Sequence, residues 1–443
     1  MKKYVLQMIF LLVPLYSWCQ LNPVWNVQTP EVASLGQYGK IPVGKYTGVT
    51  DIDVPIYTLK VGNMSFPLSF SYHLASVKPN APGGCLGLGW TLKAGGYITR
   101  TVHGCYDEKC DAYGNEIGYY GHSHKLRDID SLEFARETDS LVVSGNDYKK
   151  CHELSADEFS FQFFGYSGNF YFNEDRGWTV VSDQDIKVEF DEKTGFMDLN
   201  EIGKRINTSR WNRQSYNNRF FCKFTLITPD GTRYEFGGLD AIEFSVSYYG
   251  RNDDDLVPTT WKLSKIITPG KRKITFAYDA SAIQCDLRYV PQKRYMDIST
   301  KEFEMANTGL GRANFTGFLL FPTYLKKIET PNDTLDFVYY RDVGYPHRFY
   351  SGALCWEDKN AERRDFFYTN VVTAPSLQFG VFLGYVTSVS DVRSYLKNYL
   401  LHCIRVRNGM ASRTYYFGYS YASRLLLSQF TVRKGHPALI ENH

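Results

Sequence analysis

Long apolar runs, a surplus of charge of one sign and the familiar catalytic signatures are what this 443-residue chain has least of. Lys and Arg number 50 against 47 Asp and Glu, a formal net charge of +3, and Lys2 and Lys3 belong to a leader described below. A near-neutral body excludes strong, unselective attraction to nucleic acid or anionic lipid. Beyond residue 15 no stretch approaches the roughly 20 apolar residues that a membrane-spanning helix needs. No C-x-x-C occurs, so neither a zinc ribbon nor a dithiol redox motif is expected. G-x-S-x-G and H-E-x-x-H are missing too. Gly84, Gly87 and Gly89 superficially resemble a phosphate loop, but no helix pattern and no Lys-Ser/Thr pair follow. The residues imply no cofactor.

Aromatic residues are abundant: Tyr 34, Phe 30 and Trp 7, together 16% of the chain. Rings and β-branched side chains suit a half-buried pleated surface, so the composition points to sheet. The expected fold class is all-β: an N-terminal Gly/Pro-rich sheet domain followed by a sheet extended by successive antiparallel hairpins.

The chain opens as an export signal. Met1-Lys2-Lys3 precedes an apolar stretch from Tyr4 to Leu15, and Ser17-Trp18-Cys19 places small residues at −3 and −1 of a cut before Gln20. Residues 1–19 are read as a signal peptide, with acylation at Cys19 disfavoured by the bulky Trp18 beside it. The expected location is outside the cytoplasm: the medium, the cell surface or the periplasm. Of the remaining cysteines only Cys105 and Cys110 are close in sequence, and an oxidising compartment makes them the candidate disulfide. Cys222 and Cys403 stand in apolar strand patterns and read as small buried hydrophobes.

Residues 20–104 form the expected N-terminal β domain. Ile52 to Leu59, interrupted by Pro55, reads as an edge strand. Met64 to Tyr72 alternates, with Phe66, Leu68, Phe70 and Tyr72 on one face and Ser65, Ser69 and Ser71 outward. The glycine-dense run Gly87, Gly89, Trp90, Gly95, Gly96 and Arg100 suggests tight backbone approach around the Trp90 ring. Residues 105–156 turn polar and read as a surface insertion with one short helix near 128–138.

Residues 157–443 repeat one design. Apolar alternation turns through Gly, Pro, Asn or Asp and returns at 159–172, 224–236, 263–278, 325–339 and 401–419. Leu-x-Lys-Ile-x-Thr-Pro recurs at 263–269 and 325–331. The spacing is irregular, so no strict solenoid is expected.

Several stretches together resemble the start of the large secreted RHS/YD-repeat proteins of Bacteroidetes-type bacteria. They are Ser34 to Val43, Tyr46-Thr47-Gly48, Asp51 to Ile56, Leu86 to Trp90, Ala94 to Arg100, and Asp230 to Gly238. The resemblance implies a β-rich N-terminal region that, in the family, precedes a spiral of YD hairpins around or beside a variable C-terminal cargo. Departures are visible: Tyr278-Asp279 lacks the Gly-Arg-Leu of a YD unit, and Tyr421 to Leu425 keeps only the Tyr and Arg-Leu. With no tandem repeats before His443, the resemblance is to a short or truncated copy.

Candidate chemistry is thin. His122, His124, Asp128 and Asp130 could collect a divalent ion, but a solvated loop is the simpler reading, and Asp253-Asp254-Asp255 lacks EF-hand spacing. Asp107 and Glu108 are neighbours in sequence, which does not set the separation that glycoside hydrolysis requires. The expectation is therefore that alanine at Asp107, Glu108 or His124 leaves any measurable activity and the fold unchanged. The resulting reading is a non-catalytic exported scaffold, with a protein or cell-surface partner or self-association through edge strands. The alternatives are a glycan- or cell-surface-binding module using exposed aromatics, and a secreted hydrolase with carboxylates in the insertion.

Overall fold

Period-2 alternation with turn residues at the joints folds this chain into antiparallel ladders. The computed structural model describes residues 51–73, 77, 84–110, 116–124, 155–198, 201, 219–247, 256–282, 284–289, 294–296, 303–305, 315–342, 398–409, 411–421 and 425–435. The leader, Cys19, the motifs between 34 and 48, the 128–138 helix, Asp128, Asp130 and Asp253 to Asp255 lie outside them.

The N-terminal strands are β1 (Asp51–Val61), β2 (Met64–His73), β3 (Trp90–Lys93) and β4 (Gly96–Thr101). A single helical turn, α1 (Tyr119–His122), precedes β5 (Glu158–Phe163), β6 (Tyr166–Phe172), β7 (Trp178–Val181) and β8 (Lys187–Glu189). Next come a second turn, α2 (Glu192–Gly195), and β9 (Phe196–Asp198), β10 (Arg219–Phe221), β11 (Lys223–Ile227) and β12 (Arg233–Gly237). They are followed by β13 (Ile242–Ser247), β14 (Val257–Ile267), β15 (Lys273–Asp279), β16 (Gln284–Tyr289), β17 (Arg294–Met296) and β18 (Phe303–Met305). The chain continues through β19 (Phe315–Phe321), β20 (Tyr324–Glu329), β21 (Asp333–Arg341), β22 (Tyr399–Asn408), β23 (Ala411–Tyr421) and β24 (Leu425–Gly435). The fold is all-β, as the alternation requires.

Each expected hairpin forms: β5 with β6, β11 with β12, β14 with β15, β20 with β21, and β22 with β23. The pairings assemble two ladders that share β14. Its second half, Leu263 to Ile267, joins β12 and β15 in the ladder β8-β11-β12-β14-β15-β20-β21-β22-β23-β24. Its first half, Val257 to Lys262, lies with β13 and β4 in the ladder β7-β6-β5-β4-β14-β13-β19-β16. Small two-stranded sheets join β9 to β10 and β17 to β18.

Strands β1, β2 and β3 form a separate sheet in which, among the described residues, β1 pairs with β2 alone and slips register between Pro55 and Tyr57. Proline cannot donate to a ladder, so the edge position fits. The end expected for the N-terminal domain, residue 104, falls between two paired strands of one ladder, β4 and β5. β4 is hydrogen-bonded to β5 and β14, which ties the N-terminal region into the hairpin ladders. The face of β2 expected outward is also covered in part. Ser69 and Ser71 are buried, Ser69 Oγ donating to Asp53 at 2.9 Å and Ser71 Oγ lying 3.2 Å from the His73 ring.

Between the ladders lies an aromatic core. Phe159 stacks on Phe170 with centroids 5.2 Å apart, and Trp261 meets Phe159 and Phe224 at 5.6 and 5.3 Å. The Trp261 indole is fully buried and donates to the Phe221 carbonyl at 2.9 Å, so its one polar atom is satisfied. Cys222 and Cys403 are buried, as small hydrophobes should be, and burial pushes the Cys222 thiol up to about 11 and raises that of Cys403. At pH 8 about one Cys222 thiol in a thousand is then ionised. Native protein treated with iodoacetamide at that pH should leave both residues unmodified by mass spectrometry until it is unfolded.

Candidate functional site

Strand β4 carries an arginine where its pattern calls for an apolar residue. Ile98 and Arg100 face the core two residues apart, with Tyr97 and Thr101 outward. On the neighbouring strand the buried series Phe159, Phe161 and Phe163 runs back in phase to Asp157, just before β5 begins. Because Arg100 pairs in register with Phe159, the alternation brings Asp157 beside the guanidinium. Asp157 was not singled out from sequence; its phase with the three phenylalanines was the available signal.

The guanidinium is fully enclosed. Its Nε donates to Asp157 Oδ2 at 2.7 Å, Nη1 donates to Glu108 Oε1 at 3.0 Å, and Nη2 pairs with Glu108 Oε2. Both ion pairs join side chains with 0% exposure. Rings of Phe159, Phe221 and Tyr106 surround the cation at 5.3, 5.5 and 5.8 Å. Backbone donors complete the carboxylates: His103 N–H to Asp157 Oδ1 at 2.9 Å, Asp107 N–H to Asp157 Oδ2 at 3.0 Å, and Phe221 N–H to Glu108 Oε1 at 3.3 Å. Asp157 N–H returns a bond to Asp107 Oδ1 at 2.9 Å.

The electrostatics follow from counting. Three buried carboxyl groups meet one cation. Burial opposes the guanidinium charge, but Glu108 and Asp157 outweigh it and hold the Arg100 pKa above its ordinary value. Burial raises the Asp107 carboxyl well above the usual carboxylate range, and the Asp157 charge adds to this. Asp157 is raised as well, by burial against the pull of Arg100.

These contacts correct the surface-insertion reading for its described part. Tyr106, Asp107, Glu108, Cys110, Tyr119, Tyr120, His122 and Ser123 are all buried. The loop folds inward because Arg100 needs counter-charges inside, and an ion pair this complete tolerates burial. Alanine at Asp107 or Glu108 would strand buried polar groups, so a loss of stability is now the expected outcome at these two positions. Cys105 and Cys110 are not bridged to each other. Backbone pairing of Cys110 with Glu116 turns its thiol inward, where Sγ lies 3.9 Å from the Glu108 carbonyl.

The other candidates scatter. His122 is buried on α1, its ring 6.4 Å from that of Tyr119, while His124 is exposed. Among the described residues no group of three or more His, Cys, Asp or Glu is set to hold a metal ion. The glycine-dense run does tighten the backbone, but around Tyr72 rather than Trp90. Gly89 has φ +82°, and a Cβ there would lie 2.5 Å from the Tyr72 ring, whereas Trp90 is half-buried, 5.2 Å from Tyr72 and 5.1 Å from Phe70. Gly87 lies against the backbone of Leu425 to Leu427, and Leu88 N–H donates to Leu425 O at 2.9 Å. Gly95 turns the chain between β3 and β4, and Gly96 opens β4 opposite Phe163. Tyr97, Tyr171 and Tyr340 are the most exposed large aromatics among the described residues, with Gln162, Ser160 and Asn169 on the strands between the first two.

No protein-family model matches the chain, and no curated protein matches it in sequence. Among solved structures, the N-terminal domain of the effector protein SpvB from Salmonella typhimurium strain LT2 aligns over 87% of this chain and 99% of that one, at 12% identity and a TM-score of 0.33. TcdB2-TccC3 aligns over 87% of this chain and 16% of that one, at 10% identity and 0.34. A Photorhabdus luminescens Tc holotoxin pore aligns over 87% and 15%, at 9% identity and 0.35. The chain thus spans about one-sixth of the length of those two toxin chains. Likeness at this level says nothing of activity or partner. No helix among the described residues is long and apolar enough to cross a membrane, which leaves strand-built spans untouched.

Proposed function

We propose that this chain is an exported, non-catalytic β scaffold that works by shape and contact, in the manner of the N-terminal part of RHS/YD-repeat surface or toxin-delivery proteins. The observation that supports it is where the charged chemistry of the insertion goes. Asp107 and Glu108 of the insertion converge with Asp157 around a guanidinium with no exposed side-chain surface, so they hold a loop to a sheet instead of facing a cleft. The sequence motifs quoted above give the family comparison, and the paired hairpin ladders fit it.

Strand β24 gives the scaffold a contact edge. One side pairs with β23, while on the other the described residues supply the single backbone bond from Leu88 to Leu425. Leu426 and Val432 are 41% and 45% exposed along it. Pairing with β24 of a second copy, antiparallel about Gln429 and Phe430, would set Arg433 and Lys434 opposite Leu426 and Leu425, so like charges do not meet. Sedimentation velocity on the mature protein should show concentration-dependent dimerisation that Val432→Lys weakens; a monomer at every concentration would count against this contact. The scaffold reading itself is tested on a panel of polysaccharides and peptides. Turnover that Glu108→Gln abolishes while the circular dichroism stays native would overturn it. The glycan-binding reading has weaker support, since the exposed tyrosines among the described residues do not adjoin; glycan binding lost on Tyr97→Ala or Tyr171→Ala would favour it.

A further inference from the structure

The loop from His103 to Cys110, closed over by α1, is fastened to the sheet by groups whose charges do not cancel. Asp107 and Asp157 exchange backbone bonds, Asp157 N–H to Asp107 Oδ1 and Asp107 N–H to Asp157 Oδ2, which holds two carboxyl groups side by side. The Asp107 carbonyl also accepts Tyr120 N–H at 2.9 Å, so α1 hangs on the same residue. Arg100 spends its donors on Glu108 and Asp157. Asp107 Oδ2 is buried with no hydrogen-bond partner in the structure, although Asp107 itself is 0% exposed. An ionised Asp107 would leave that oxygen buried without a donor and add a second negative charge beside Asp157, with Arg100 the one cation acting on both.

We propose that this loop is a proton-held latch, closed while the Asp107 carboxyl carries a proton and released as that proton is lost to rising pH. The ionisable groups around it are Arg100 on β4, Asp157 at the entry to β5, and Glu108, Tyr106, Lys109 and His103 on the loop. Tyr119 and His122 stand on α1. Arg100 is the cation bonded to the carboxylates, and Lys109 lies over the Tyr106 ring at 5.8 Å.

The sign is fixed by linkage. In the open loop Asp107 meets water and ionises in the ordinary range of about 4, whereas burial and then Asp157 raise its pKa when closed. Between the two values the closed form binds one more proton. Closure is therefore strongest below the ordinary value and weakens as pH climbs towards the raised one, by up to about tenfold in the opening constant per pH unit. This is the reverse of an ordinary salt-bridged aspartate.

Hydrogen–deuterium exchange on the full chain between pH 5 and 9, corrected for intrinsic exchange rates, reads the opening at the amides of Asp107, Tyr120 and Asp157. The expected result is protection that falls progressively with pH at those amides but holds at Ile98 and Phe161 in the ladder. Asp107→Asn, which keeps the Oδ1 acceptor and cannot ionise, should hold protection level across the range. Asp157→Asn offers a second variant: removing the neighbouring charge should move the fall to lower pH, because Asp107 then ionises more easily. Wild-type protection that stays level with pH, or an Asp107→Asn protein that opens with the same slope as wild type, overturns the proposal. Should neither variant fold, the carbon-13 titration of the Asp107 carboxyl in the wild-type chain decides it, an ordinary carboxylate midpoint being the refuting outcome.

Discussion

Arg100→Met should lose about 3–5 kcal/mol of unfolding free energy, the cost of breaking a buried ion pair by removing one partner. The loss would be read from the midpoint of guanidinium unfolding by tryptophan fluorescence. Methionine replaces much of the volume among Phe159, Phe221 and Tyr106 but none of the charge, leaving the buried Glu108 and Asp157 side chains without their counter-charge. The penalty should shrink when Glu108→Gln is added in the Arg100→Met background, because one stranded charge is gone. Arg100→Lys should fall between, about 1.5–3 kcal/mol down, since a single ammonium cannot reproduce the fork that serves both carboxylates. An Arg100→Met protein as stable as wild type would mean that the enclosed cluster contributes nothing to folding.

The second large effect belongs to a glycine. Gly237 ends β12 at φ +93°, and a Cβ on it would lie 2.0 Å from the Cys222 carbonyl oxygen and 2.8 Å from the Trp261 ring. Its neighbour Gly238 has φ +100° with nothing within 4 Å of the same hypothetical atom. Both alanine variants incur the backbone strain, about 1–3 kcal/mol. Gly237→Ala must also move the Cys222 carbonyl, which accepts Gly238 N–H, and the central indole, adding about 1–3 kcal/mol of overpacking. Gly237→Ala should thus be clearly the less stable of the two, with Trp261 fluorescence altered in its native state. Equal losses would show that space around Trp261 is not limiting.

Much of the fold was legible because its signals are local. Phe159-Ser160-Phe161-Gln162-Phe163 needs no distant information to be read as a strand, and a turn such as Pro229-Asp230-Gly231 fixes its hairpin within a few residues. The site was not legible. Asp107 and Glu108 look solvated because charged residues almost always are, and what overturns that prior is an arginine on another element. Arg100 was noticed only as the end of a glycine-rich motif, although its phase with Ile98 already placed it inward. Gly89 was matched to the wrong ring for a similar reason. Tyr72 and Trp90 alternate with equal plausibility, and register alone decides which of them the backbone crosses.

What the order of residues determines by itself is the ribbon: period 2 selects strand over helix, and Gly, Pro, Asn and Asp select where each strand turns back. Which ladder a strand joins was settled by tertiary contacts, as when β14 gives half its length to each. The burial of Tyr106, Asp107 and Glu108 in the 103–110 loop was settled the same way. A lone charged loop prefers water, and it enters the core only where a guanidinium, three rings and backbone donors from separate parts of the chain replace the hydration it gives up.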